Sequence, residues 1–194
     1  AFDEKRVAQI LANRPQAVPR LRRKDGRVAL EVNGRDVLPA CYTRGPFYPQ
    51  YTRYGAFARA GYNLVRLSAH FNPLSATHKV GVGNLWRGKD SFDFSELERE
   101  LKVIANINPE ALVIVSATVM PYHDWANEYP DSIVTNEKGE KLIVYGGEAL
   151  QYGGKPDYSS NREADYAPSF YGGQFPADAA DAVKHLAEFL QTSP

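Results

Sequence analysis

The chain has 194 residues, 43% of them hydrophobic, enough for one ordinary domain, or part of a larger one, with a sizeable core. Lys plus Arg and Asp plus Glu each number 23, so the net charge is zero, which removes the main electrostatic reason to expect nucleic acid or an anionic membrane as partner. Cys41 is the single cysteine, so no internal disulfide can form, and no apolar run is long enough to span a bilayer.

Residues 3–13, "DEKRVAQILAN", have the spacing of a short amphipathic helix, with no apolar signal-peptide stretch in residues 1–24. Asp25-Gly26 and Asn33-Gly34 then separate three short runs. Both dipeptides favour the positive φ of tight hairpin turns, so residues 1–36 read as a helix and β-hairpin lead-in. From residue 37 the pattern becomes "VLPACYT", a strand; "YTRYGAFARAGY", a helix; and "NLVRLSAH", a second strand. "FDFSELERELKVIANINP" follows as a helix whose capping box is Ser95 and Glu98 and whose apolar face is Leu97, Leu101 and Ile104. "ALVIVSATV" is a third strand, and residues 121–174 read as one long loop rich in Gly, Tyr and Pro. The last helix is "FPADAADAVKHLAEFLQTSP", with Ala180, Val183, Leu186, Ala187 and Leu190 as its apolar face. Strands alternating with helices predict an α/β fold with a parallel sheet over residues 37–194. The apolar character of the strand runs predicts burial on both faces.

In such a sheet or barrel, chemistry collects at the C-terminal ends of the strands. Tyr42-Thr43-Arg44, His70-Phe71-Asn72 and Tyr122-His123-x-Trp125 follow the three strands in turn. Flat rings and hydrogen-bonding groups on one rim have the composition of a carbohydrate cleft. Tyr42, Arg44, His70, Tyr122, His123 and Trp125 are therefore candidate substrate-binding residues, as is Arg66 on the second strand, although Trp125 could equally plug the barrel mouth. Arg66 lies inside an apolar strand, where an unpaired charge is costly, so a carboxylate partner is expected for it. The four histidines show no H-x-x-x-H spacing, no G-x-S-x-G is present, and "GVGNLW" is only a fragment of a dinucleotide fingerprint. These patterns call for neither a metal nor a cofactor.

"GYNLVRLSAHFNPL", "FDFSELERELKVI", "INPEALVIVSATVMPYHDWANEYP" and "YAPSF", in that order, resemble the first half of a retaining glycoside hydrolase barrel. The likeness is greatest to the β-galactosidases of glycoside hydrolase family 42, within the clan that includes families 5 and 35. The resemblance implies that residues 37–194 are the first three βα units of a TIM (β/α)8 barrel, an incomplete one. It gives Arg66 the clan's second-strand position, which braces the catalytic nucleophile, and gives Trp125 and its neighbours the third-strand loop that walls the sugar site. It implies a β-galactoside or related β-linked sugar as substrate and, in bacteria, a periplasmic or extracellular location. The clan's acid/base Glu, usually in Asn-Glu, ends strand four and its nucleophile ends strand seven. Asn127-Glu128 and Asn136-Glu137 instead lie in the third-strand loop, so no catalytic residue is expected in this chain and the pair is expected beyond residue 194.

Two alternatives stand beside that reading. One is a non-catalytic carbohydrate-binding or structural module of the same ancestry. The other is a complete enzyme drawing a carboxylate pair from Asp124, Glu128, Asp131, Glu148, Asp157, Glu163 or Asp165.

Overall fold

In the computed structural model, residues 2–37, 40–43, 51–72, 82–122, 124–145, 150–152 and 164–193 are described. Together they form a mixed α/β protein of helices and several small sheets. The chain divides into two compact units. The first holds residues 1–67 and 97–116; the second holds 68–96 and 117–193.

The first unit opens with helix α1 (Glu4–Ala12), capped by Asp3, whose carboxylate accepts the Arg6 amide at 3.0 Å. Strands β1 (Pro19–Lys24), β2 (Arg27–Val32) and β3 (Arg35–Val37) form an antiparallel sheet. Its two turns are the Asp-Gly and Asn-Gly pairs, with φ of 50° and 76° at Asp25-Gly26 and 50° and 79° at Asn33-Gly34. Both residues of each turn thus adopt the left-handed conformation that a two-residue hairpin requires. Asp36 ties the sheet's surface together, accepting from Arg22 at 2.9 Å and from Lys24.

Strand β4 (Cys41–Thr43), helix α2 (Tyr51–Arg59) and strand β5 (Leu64–His70) make a parallel βαβ unit in which Cys41, Tyr42 and Thr43 face Leu64, Val65 and Arg66. The Tyr42 ring packs on α2, 5.2 Å from Tyr54 and 4.5 Å from Phe57 between centroids. Helix α3 (Ser95–Ile107) leads to strand β8 (Leu112–Thr118), which follows the short strands β6 (Trp86–Gly88) and β7 (Ser91–Phe92) in the chain. The sheet order is β4-β5-β8. The Leu112 amide donates to the Asn63 carbonyl at one end of the β5–β8 pair, and the Phe71 amide donates to the Thr118 carbonyl at the other, so these strands also run parallel. At the first of these ends two asparagines form a clasp. Asn108 donates to the Asn63 side chain at 3.1 Å, Asn63 donates to Glu110 at 3.4 Å, and the Asn108 side-chain oxygen accepts the Glu110 amide at 3.1 Å. Asn108 is buried, so the two bonds its side chain makes replace ones lost to water.

Burial of both strand faces, expected from composition, is corrected here. In β5, Leu64, Val65, Leu67 and Ala69 are buried while Arg66 is exposed. Tyr42, which faces α2, pairs with Val65. Arg66, one residue on, therefore points to the opposite face.

In the second unit, β6 and β7 form a hairpin whose turn is Lys89-Asp90, with Asp90 at φ 55°. The expected 121–174 loop carries structure of its own. Helix α4 (Trp125–Glu128) and a 3₁₀ turn (Pro130–Ser132) precede a three-stranded antiparallel sheet of β9 (Leu142–Tyr145), β10 (Leu150–Tyr152) and β11 (Ala164–Tyr166), ordered β10-β9-β11. Helix α5 (Phe175–Thr192) closes the unit. Its buried stripe is Phe175, Ala182 and Leu186 rather than the face expected, of which only Leu186 is buried. Aromatic contacts set this phase: Phe92 stacks on His185 at 4.5 Å and Phe94 on Phe189 at 4.9 Å.

The capping box is corrected as well. Asp93 holds the start of α3, accepting from the Ser95 amide at 3.0 Å and the Ser95 hydroxyl at 2.6 Å, whereas Glu98 pairs with Lys102 along the helix. The Ser95 bonds, with Arg87 in a smaller part, hold the Asp93 carboxyl below the ordinary carboxylate range. A depressed folded-state pKa contributes stability above about pH 4 that is lost as pH falls through the folded value. An NMR titration of the Asp93 carboxyl carbon is expected to give a midpoint below about 3.9, and a midpoint at or above it would remove the cap.

Just before α5, Gly173 sits at φ 76°, and a Cβ there would lie 2.4 Å from the Ser132 hydroxyl oxygen. That hydroxyl accepts the Gln174 amide at 3.0 Å. Gly173→Ala combines a left-handed alanine with this clash and is expected to lower unfolding free energy by about 2 kcal/mol or more in urea titration.

Candidate functional site

Among the described candidates, Arg66 is the exposed cation on a strand of the parallel sheet. It stands on the face of β5 opposite α2, exposed, and donates to the Ser116 hydroxyl on β8 at 2.9 Å. A hydroxyl rather than a carboxylate is its hydrogen-bond partner among the described residues, which corrects the expectation of an acidic one. Exposure explains the difference, because an arginine in water has no desolvation cost to offset. Cys41 lies on the exposed side of β4. Partial desolvation pushes its thiol up, against a smaller downward pull from Arg66, so it remains protonated at neutral pH and is a poor nucleophile.

Tyr42 is buried in the aromatic cluster over α2, on the face away from Arg66. His70 is half-buried at the end of β5, where its amide donates to Val82 at 2.7 Å and its carbonyl accepts from Leu85 at 3.3 Å. Arg44 and His123 lie outside the described residues.

Tyr122 and Trp125 come together in the second unit. Trp125 is fully buried, its ring 5.2 Å from Tyr129 and 5.6 Å from Phe175, and its indole N–H donates to Asp178 at 2.8 Å. It has no face open to a ligand. Tyr122 is buried beside Trp86, with ring centroids 5.3 Å apart. Burial first, and then the nearby Glu128 carboxylate, push its hydroxyl well above the ordinary phenol range, so Tyr122 is a neutral group at any working pH.

Tyr122 also lines a small recess with Trp86, Phe92, Asp178 and Asp181, of about 40 Å³. Pockets that bury a drug-sized ligand run to about 300 Å³ or more, and this recess is far smaller. Sequence reasoning missed Trp86, Phe92 and the two aspartates. The available signal was the pair Trp86 and Phe92 flanking a Lys-Asp turn, which lacks the glycine that marks a hairpin most clearly.

Of the loop acids, Asp124, Glu128 and Asp131 are exposed, while Glu148, Asp157 and Glu163 lie outside the described residues. Among the described residues no group of three or more His, Cys, Asp and Glu is arranged to hold a metal ion. The chain matches no protein-family model, no curated protein and no solved structure.

Proposed function

We propose that this chain is the N-terminal part of a retaining glycoside hydrolase barrel acting on a β-galactoside or a related β-linked sugar. The observation that carries the reading is the position of Arg66. It stands on the second of three parallel strands, on the face turned away from the connecting helix, and in a closed barrel that face is the interior. In this reading β4-α2-β5-α3-β8 are the first barrel units and Arg66 braces a nucleophilic glutamate. The exposed Val183 and Leu190 on α5 are consistent with a further element covering that helix.

Retaining enzymes place two carboxylates about 5–5.5 Å apart, one attacking the anomeric carbon and the other serving as acid and then base. Both would lie beyond residue 194, and this chain contributes the bracing cation and part of the walls. Incubation of the native polypeptide with a 2-deoxy-2-fluoro-β-galactosyl fluoride, followed by peptide mass mapping, tests this. Fluoride leaves as the nucleophile forms a glycosyl ester, and the slow second step traps it. The expected label is on a glutamate outside residues 1–194. A label on an acid within them, or none, would overturn the reading.

The hydroxyl partner of Arg66 favours a second reading, a non-catalytic carbohydrate-binding module. That reading predicts sugar binding with no label anywhere.

A further inference from the structure

Strand β1 is an open edge. Among the described residues it pairs with β2 alone, and no strand lies on its other side. The two-residue turn at Asp25-Gly26 makes Lys24 and Arg27 a hydrogen-bonded pair, and such pairs recur at every second residue. The Asn33 amide, donating to the Val18 carbonyl at 3.3 Å, keeps the same phase at the other end of the strand. Arg20, Arg22 and Lys24 therefore bond to β2, whereas the amides of Leu21 and Arg23 and the carbonyls of Pro19, Leu21 and Arg23 point away from the sheet.

The side chains of β1 divide by face. Arg22 and Lys24 meet Asp36, and Arg22 also meets Glu31 at 3.0 Å, so Arg20, Arg22 and Lys24 share the charged face. Arg27 lies on that face too, across from Lys24. Leu21 stands on the opposite face, across from Leu30, which in turn pairs with Val37. Leu21 is 75% exposed, and Val28, across from Arg23 on this face, is 67% exposed. Arg20, Arg23, Arg27 and Arg35 have no ion-pair partner among the described residues. The sheet thus carries an excess of cations along an open edge and an uncovered apolar face beside it.

A second copy of β1 on this edge would set cations opposite cations, which is destabilising. A strand with acids on one face and apolar side chains on the other matches both faces and also satisfies the outward amides. We infer that the outer edge of β1 docks an extended acidic segment of another protein, in which Asp or Glu alternates with apolar residues. The segment adds a strand beside β1, its acids facing Arg20, Arg22 and Lys24 and an apolar side chain covering Leu21. Docking uses none of the residues near Arg66 and needs no turnover, so its failure and that of the barrel reading are separable.

Titration of the isotope-labelled full chain with a peptide of alternating Glu and Val tests this by proton–nitrogen correlation spectra and hydrogen exchange. Saturable shifts are expected, with the greatest slowing of exchange at the Leu21 and Arg23 amides, and a peptide of alternating Lys and Val should not bind. Arg20→Glu combined with Arg23→Glu should weaken binding about tenfold or more. Leu21→Pro removes an outward amide and no bond to β2, so it should keep the Ala29 amide signal, showing an intact sheet, and weaken binding by a similar factor. Failure of the Glu–Val peptide to slow exchange at Leu21 and Arg23 would overturn the assignment. So would equal binding of the Lys–Val peptide, binding of phosphatidylserine vesicles in place of the acidic peptide, or protection of the two amides that rises with protein concentration alone.

Discussion

Trp125→Ala is expected to destabilise the second unit by about 3–5 kcal/mol in urea unfolding, the usual cost of deleting a fully buried aromatic ring. No part of the Trp125 side chain reaches solvent, and it packs on Tyr129 and Phe175. Its N–H also satisfies Asp178, the residue that holds Gln174 at the start of α5. Trp125→Phe separates the two contributions. It keeps most of the ring volume, loses the bond to the carboxylate, and should cost about 1–2 kcal/mol. A saccharide platform would behave in the opposite way, with unchanged stability and weakened sugar binding. Unfolding midpoints of the two variants within error of the parent would show that Trp125 does not fill the core.

Arg66→Ala is expected to leave folding within about 0.5 kcal/mol, because the guanidinium is exposed and, among the described residues, its hydrogen bond is to the Ser116 hydroxyl. Under the proposed hydrolase reading, the same change should lower the native polypeptide's kcat about 100-fold, the scale of removing one preorganised group beside developing charge. The pH profile distinguishes positioning from mere structure. A neighbouring cation lowers a carboxylate's pKa, so losing it raises the nucleophile's pKa. The acidic limb of kcat/KM should therefore move to higher pH by about one unit or more. A kcat loss with an unmoved acidic limb would place Arg66 away from the nucleophile. Arg66→Lys should recover part of the rate, since it restores charge without the planar fork.

The parts legible in the sequence were those with local causes. Asp25-Gly26 and Asn33-Gly34 give hairpin turns because the left-handed backbone is encoded in the dipeptides themselves. The β4-α2-β5 unit follows from alternation of apolar runs with helical spacing. The β9–β11 sheet was not legible, because strands of three or four residues carry too few positions to show a period of two. Tertiary partners decided the rest. Whether Trp125 stacks on a sugar or on the core depends on Asp178, 53 residues further along the chain. The phase of α5 depends on Phe92 and Phe94 meeting His185 and Phe189, which no spacing within the helix reveals. Asn63 stands in the motif that suggested a sugar site, yet its side chain serves the clasp with Asn108 and Glu110. Arg66, three residues on, is the exposed residue of β5.

Retaining hydrolysis of a β-linked galactoside by the polypeptide that carries this segment is the proposal the Arg66 predictions depend on. Proton NMR of the native polypeptide acting on 4-nitrophenyl β-D-galactoside tests it most directly, by following the anomeric proton of the first sugar released. β-Galactose is expected first, with the α-anomer appearing later by mutarotation, and the signal is expected to be lost in Arg66→Ala. Initial release of α-galactose, or no release by a folded polypeptide, would contradict it.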